Sequence, residues 1–137
     1  MEMDSRQLCD DLLALLGRLK QAMSKAAEEY HLTMQQLYAL YAIFEGESTM
    51  GHLASALHCD ASNVTGIVDR LVDRELITSS PSTQDRRTKV LALKDTGEQI
   101  VTEFMYELPR YFGSTRITQK ECTQLHNLIA KITSGNE

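Results

Sequence analysis

Two guanidinium groups stand side by side in Asp85-Arg86-Arg87, with Lys89 just beyond Thr88. Paired arginines on a polar, turn-rich stretch suit phosphates and narrow electronegative grooves, because each guanidinium is a planar fork of donors that keeps its charge. A second set of polar residues, Ser62, Asn63, Thr65 and Arg70, is interleaved with Val64, Ile67, Val68 and Leu71. Carried into a major groove, such groups read base edges: Asn pairs with adenine, Thr meets a thymine methyl, and Arg takes guanine or phosphate. Gly66 sits among them, costs a helix about 1 kcal/mol against Ala, and would let backbone come close to a ligand. Alone, either set is an ordinary solvated surface. Together and in this order they point to double-stranded DNA.

Other chemistries find little support. His31, His52, His58 and His126 are scattered without metal-ligand spacing, and the chain has no Gly-rich phosphate loop and no G-x-S-x-G nucleophile turn. Neither an enzyme nor a cofactor is expected. Cys9, Cys59 and Cys122 are far apart and odd in number, which excludes a disulfide framework. Each falls in a helical pattern and is expected to be a small buried hydrophobe. The formal charge is −5, but it is unevenly spread. Thr49–Lys94 holds six bases against five acids, while the remainder carries eight against fourteen. The stretch with the candidate DNA contacts is thus the least acidic.

Positioning these groups requires a helix for the first set and a hairpin for the second. Residues 5–29 read as one long helix with Leu8, Leu12, Leu15, Leu16, Leu19 and Met23 at steps of three and four. Thr33 to Gln36 has capping-box form and opens a helix through Leu37, Leu40, Tyr41 and Phe44 that fails near Gly46. Thr49 caps a short helix, His58-Cys59-Asp60 forms a turn, and a further helix runs over 61–74. Two short amphipathic helices around a tight turn are a helix-turn-helix. The period then alternates: strands are expected at Leu76–Ser80 and Thr88–Leu93 around a polar tip, with Asp85 pairing an arginine bidentately. A second capping box at Thr96 should open a helix that Pro109 and Gly113 break, and Thr118 should cap the last, with Cys122, Leu125, Leu128, Ile129 and Ile132 on one face.

The expected architecture is therefore mainly α with a small β-hairpin wing. A winged helix-turn-helix over about 33–95 is flanked by terminal helices at about 5–29 and 96–134, all one domain. The flanking helices carry apolar stripes that the winged unit does not need, and a homodimer would bury them. No stretch is apolar enough to span a membrane, and acids precede the first apolar run, unlike an export signal, so a cytoplasmic location is expected.

The segment Asp85-Arg86-Arg87-Thr88-Lys89-Val90-Leu91-Ala92-Leu93-Lys94-Asp95-Thr96-Gly97 resembles the D-x-R…L-T-x-x-G wing signature of the MarR family of bacterial regulators. Cys59–Leu71 is similar to that family's recognition helix, and Leu32-Thr33 and Thr49…Leu53-Ala54 also fit. The resemblance implies a homodimer joined through its terminal helices on an inverted-repeat operator, most often as a repressor released by a signal. It implies Arg87 in the minor groove, Asp85 as its anchor and Arg86 on the DNA backbone. It also implies a small aromatic effector in a crevice, for which His31, Tyr38 and Tyr41 are candidates, or an oxidant sensed near the N-terminus, for which Cys9 is the candidate. The chain departs from the family at Glu75, often Gly, and at Ser79, often Arg. The tyrosines expected around a sensing thiol are replaced, with Met34 after Thr33 and Leu13 and Met23 in the first helix. A winged domain used only for protein contacts is the alternative that the net acidity leaves open.

Overall fold

The computed structural model describes residues 4–135. The order is α1 (Ser5–Glu28), α2 (Met34–Phe44), α3 (Met50–Leu57), α4 (Ala61–Asp73), β1 (Ile77–Pro81), β2 (Lys89–Leu93), α5 (Asp95–Tyr111), a 3-10 turn (Ser114–Arg116) and α6 (Gln119–Ser134). The fold is mainly α, a winged helix-turn-helix held between helices from the two ends of the chain.

Local chemistry sets most helix starts. The Gln36 amide donates to Thr33 Oγ1 at 3.1 Å and the Thr33 amide to Gln36 Oε1 at 3.0 Å, a complete capping box. Thr118 and Glu121 repeat it at α6. Thr49 and Asp60 cap α3 and α4 singly. Between α3 and α4 the chain turns on His58, a residue in the left-handed region at φ 52°.

The core lies where α2, α3, α4, the wing and α5 meet. Leu37, Leu40, Leu53, Leu71, Ile77 and Val101 are fully buried there, with Val64, Val68, Leu91 and Phe104 beside them. The wing is antiparallel, with Ile77 opposite Leu93 and Pro81 opposite Lys89. A bridge between Thr49 and Val90, and a 2.7 Å bond from the Leu91 amide to the Ser48 carbonyl, tie β2 to the residues before α3. The wing therefore has a fixed place beside the helix-turn-helix. Gly97 is buried where α5 crosses the start of the wing, and a Cβ there would run into the Leu76 carbonyl.

Several expectations need correction. Thr96 does not cap α5: the helix starts at Asp95 behind Lys94 with no side-chain cap, and Thr96 Oγ1 donates to the Glu75 carbonyl at 2.8 Å. Tertiary contact with the α4–β1 corner takes that hydroxyl. Pro109 does not break α5, which continues to Tyr111. The proline lies in the last turn, so its missing N–H removes a single helical bond, and the Phe112 amide still reaches the Leu108 carbonyl at 3.0 Å. Both strands start one residue later than expected. The cysteines are not buried: Cys9 is exposed and Cys59 and Cys122 are half-buried.

The terminal helices behave differently from the rest. Of α1 only Ala26 and Ala27 are buried, and of α6 no residue is. Leu8, Leu12, Leu13, Leu15 and Leu16 remain exposed on α1, as do Leu125, Leu128, Ile129 and Ile132 on α6.

Candidate nucleic-acid interface

Helix α4 has two faces. Val64, Ile67, Val68 and Leu71 are buried. Ser62, Asn63, Thr65, Gly66 and Arg70, the residues expected to read bases, are all exposed. This division follows from helical geometry, since apolar positions three and four apart claim one side and leave the other to polar groups.

The structure refines what each polar group can offer. Ser62 Oγ donates to Asp60 Oδ1 at 2.8 Å, and the Asn63 amide donates to the same oxygen at 2.9 Å. These bonds, the Asn63 amide first, hold the Asp60 carboxyl below the usual carboxylate range. Thr65 Oγ1 donates to the Ala61 carbonyl at 2.8 Å. Both hydroxyl protons are thus committed within the helix, and Thr65 is left with a methyl group and lone pairs. Asn63 and Arg70 remain the strong outward donors. A Cβ on Gly66 would meet nothing within 4 Å, so packing inside the chain does not call for glycine there.

The wing tip is organised by Asp85, but not as expected. Asp85 Oδ1 accepts from the Arg87 backbone amide at 3.0 Å, and Oδ2 from the Thr88 hydroxyl at 3.5 Å. Among the described residues no ion pair joins Asp85 to either arginine. A short carboxylate two residues before an amide closes an Asx turn, which leaves both guanidinium groups exposed and unclamped. Ser82 continues the pattern: its hydroxyl accepts from the Gln84 amide at 3.2 Å, and its own amide reaches the Thr88 carbonyl at 2.7 Å.

The two candidate sets are neighbours. Arg87 and Lys89 border a cavity of about 340 Å³ whose facing walls include Thr65, Val68 and Asp69 of α4. Asp69 puts one acid opposite the two bases, which tempers the positive field. On the other flank of α4, Ser62, Asn63, Gly66 and Arg70 share a cavity of about 240 Å³ with Thr33 and Gln35. Reasoning from the sequence missed Gln35. Its signal was the capping box at Thr33, which marks where α2 begins but gives no hint that this end lies beside α4.

A profile of the MarR family matches residues 32–89, from the approach to α2 through the first residue of β2. The chain is similar to the HTH-type transcriptional repressor MdtR of Bacillus subtilis (strain 168), 28% identical over 131 residues that span 92% of this chain and 83% of that protein. Its fold is like that of Bordetella bronchiseptica BpsR, solved in a study of how 6-hydroxynicotinic acid regulates that protein's DNA binding. The TM-score is 0.75 at 22% identity, covering 93% of this chain and 98% of the other. A mutant MarR from E. coli in complex with operator DNA gives a TM-score of 0.74 at 19% identity, over 91% and 92% of the two chains. The likeness to MdtR extends well past the segment that the profile matches, and in sequence and fold the chain is similar to winged-helix transcriptional regulators of the MarR family.

Proposed function

We propose that the chain is a sequence-specific DNA-binding repressor that works as a cytoplasmic homodimer on an inverted-repeat operator, and that it has no enzymatic role. One α4 enters the major groove at each half-site, with Asn63, Thr65 and Arg70 at base edges and Gly66 allowing close approach. Arg87 reaches the minor groove alongside, and Arg86 and Lys89 take phosphates. The observation that carries this reading is the two-sidedness of α4 beside an Arg-bearing wing: four buried apolar residues fix the helix and five candidate contacts face outward. Homodimerisation is supported by the exposed leucines of α1 and by α6, which buries none of its residues.

Release by a signal has two supports. Leu19, Met23, Met34, Tyr38 and Leu57, together with Lys20 and His58, line a crevice of about 400 Å³ between α1, α2 and the end of α3. That size and mixture suit a small aromatic effector, and BpsR, which shares the fold, responds to such a molecule. Of the three aromatic and polar candidates, only Tyr38 lines this crevice. Cys9 is the candidate for oxidant sensing, exposed beside the apolar stripe of α1, where oxidation would alter a dimer contact.

The test is a binding titration of the full chain against DNA upstream of its own gene, repeated at several salt concentrations. Saturable, site-selective binding that weakens steeply with salt is the expected result. Equal binding to all DNA, or no preferred site anywhere in the genome, would favour a protein-interaction module instead.

A further inference from the structure

Residues 82–88 join the wing strands beyond the Pro81–Lys89 pair, and only Ser82 and Thr88, at the base of this loop, are half-buried. An exposed polar loop ordinarily gives up conformational freedom when it binds, and the loss weakens the complex. Here that freedom is already restricted around Arg87. The Arg87 amide donates to Asp85 Oδ1 at 3.0 Å, and the Thr88 amide donates to the Asp85 carbonyl, also at 3.0 Å. These amides belong to the two planar peptide groups on either side of the Arg87 Cα, so both are held relative to Asp85. The direction in which the Arg87 side chain leaves the backbone is thereby set, although its guanidinium stays free.

Asp85 in turn needs a support, and Ser82 provides it. Ser82 Oγ accepts from the Gln84 amide at 3.2 Å and from the Asp85 amide at 3.5 Å, so one oxygen gathers two successive amides. The Ser82 amide donates to the Thr88 carbonyl at 2.7 Å, which carries the pairing of the strands one bond further. Ser82 is therefore anchored to the sheet, and β2 is itself bonded to the Ser48 carbonyl ahead of α3. Hydrogen bonds run from the body of the winged unit through Ser82 and Asp85 to Arg87. The wing signature legible in the sequence begins at Asp85, so Ser82 lies outside it.

We propose that Ser82 is a positioning residue for DNA recognition: its hydroxyl holds Asp85 so that the wing tip presents Arg87 in one orientation before DNA arrives. The proposal rests on the DNA-binding reading above, and it assigns Ser82 no contact with DNA.

The test titrates the full chain and its variants with the duplex selected from upstream of its own gene and with a scrambled duplex of the same length. Ser82→Ala should weaken the selected duplex about three- to tenfold, the range of one net hydrogen bond. The scrambled duplex should change by less than about twofold, and the salt slope should hold, because no charge is removed. Ser82→Thr keeps the hydroxyl and should restore the affinity. In an Arg87→Ala background, titrated at low salt, Ser82→Ala should change the affinity by less than about twofold, since the group it positions is gone. An undiminished loss in that background overturns the proposal, as does a Ser82→Thr variant no better than Ser82→Ala. A changed salt slope overturns it too, because Ser82 would then act on the phosphate contacts. Amide relaxation of the DNA-free protein gives an independent readout. The Asp85 and Arg87 amides should be rigid in the wild type, with order parameters of about 0.85, and fall toward about 0.6 in Ser82→Ala. A wild-type tip that is already mobile overturns the proposal whether or not DNA binds, whereas a rigid tip without specific DNA binding overturns the DNA-binding reading and, with it, the role of Ser82.

Discussion

Helices α4 and α6 have similar lengths, 13 and 16 residues, and each has an apolar stripe along one side. Their stripes meet opposite fates. Val64, Ile67, Val68 and Leu71 are at most 8% exposed, whereas Leu125, Leu128, Ile129 and Ile132 are between 47% and 58% exposed. Periodicity marks a stripe but does not say whose surface will cover it. For α4 the cover is inside the chain, in α2, α3 and the wing; for α6 it has to come from elsewhere. The winged unit holds its candidate reading face in place by itself, while the terminal helices leave their leucines in water within one chain, and the proposed second copy is what would cover them.

The largest effect that sharpens this contrast is on folding. Leu71→Ala should cost about 2–5 kcal/mol, because it leaves a cavity in a site that is fully closed. Leu128→Asp with Ile129→Asp should leave the winged unit folded and abolish the dimer. Thermal unfolding at several protein concentrations separates the two: Leu71→Ala lowers the midpoint at every concentration, and the α6 pair removes the concentration dependence. If the α6 pair unfolded the protein as Leu71→Ala does, the idea of an autonomous winged unit would be lost.

Next in size is the wing. Arg86→Ala with Arg87→Ala should abolish specific DNA binding and reduce the salt slope of what remains by about 2, one for the Arg86 phosphate contact of each of the two wings in the proposed dimer. The dimer should persist in sedimentation, the reverse of the α6 pair. Normal DNA binding by this variant would show that the exposed guanidinium groups contribute nothing to recognition.

Two glycines then give opposite signs for one substitution. Gly97→Ala drives a Cβ into the Leu76 carbonyl and should destabilise by about 1–3 kcal/mol, in line with overpacking elsewhere. Gly66→Ala meets open space and should stabilise α4 by about 1 kcal/mol. Its cost should fall on DNA affinity alone, if backbone and DNA approach closely at that point. A Gly66→Ala variant that is both more stable and fully competent in DNA binding would leave Gly66 without a role in recognition.

Much of this was legible in the sequence. Thr33, Thr49 and Thr118 announce their helices because a capping hydroxyl acts on amides two or three residues away, and the apolar period of α4 separates its two faces. Longer-range competition was not legible. Thr96 looks like a cap, but a carbonyl 21 residues earlier in the chain takes its hydroxyl. Asp85 looks like a partner for a guanidinium, but the nearer Arg87 amide wins. The proximity of Gln35 and Arg70 is created by helix packing and has no local signal. In each case the sequence shows which groups need partners, and the fold decides which partner is near enough.

The smallest expected effect concerns how the two helices end. Helix α4 ends in a left-handed residue that is not glycine, Glu75 at φ 59°, while α6 ends on Gly135 at φ −88°, which makes no use of glycine's freedom. The departure from the family pattern at Glu75 therefore has a backbone cost, since a side chain in the left-handed region is disfavoured by roughly 1–2 kcal/mol. The Lys94 Nζ–Glu75 Oε1 pair, 3.9 Å apart and open to solvent, returns little of it. Glu75→Gly relieves the strain but adds freedom to the unfolded chain, an offset of about 0.4–1 kcal/mol. The net expectation is stabilisation by no more than about 1 kcal/mol, with Glu75→Val destabilising because a β-branched residue tolerates that conformation least. Denaturant titration of the two variants decides it. If Glu75→Gly were destabilising by more than about 1 kcal/mol, the Glu75 side chain would have to hold the α4–wing corner through contacts stronger than an exposed ion pair provides.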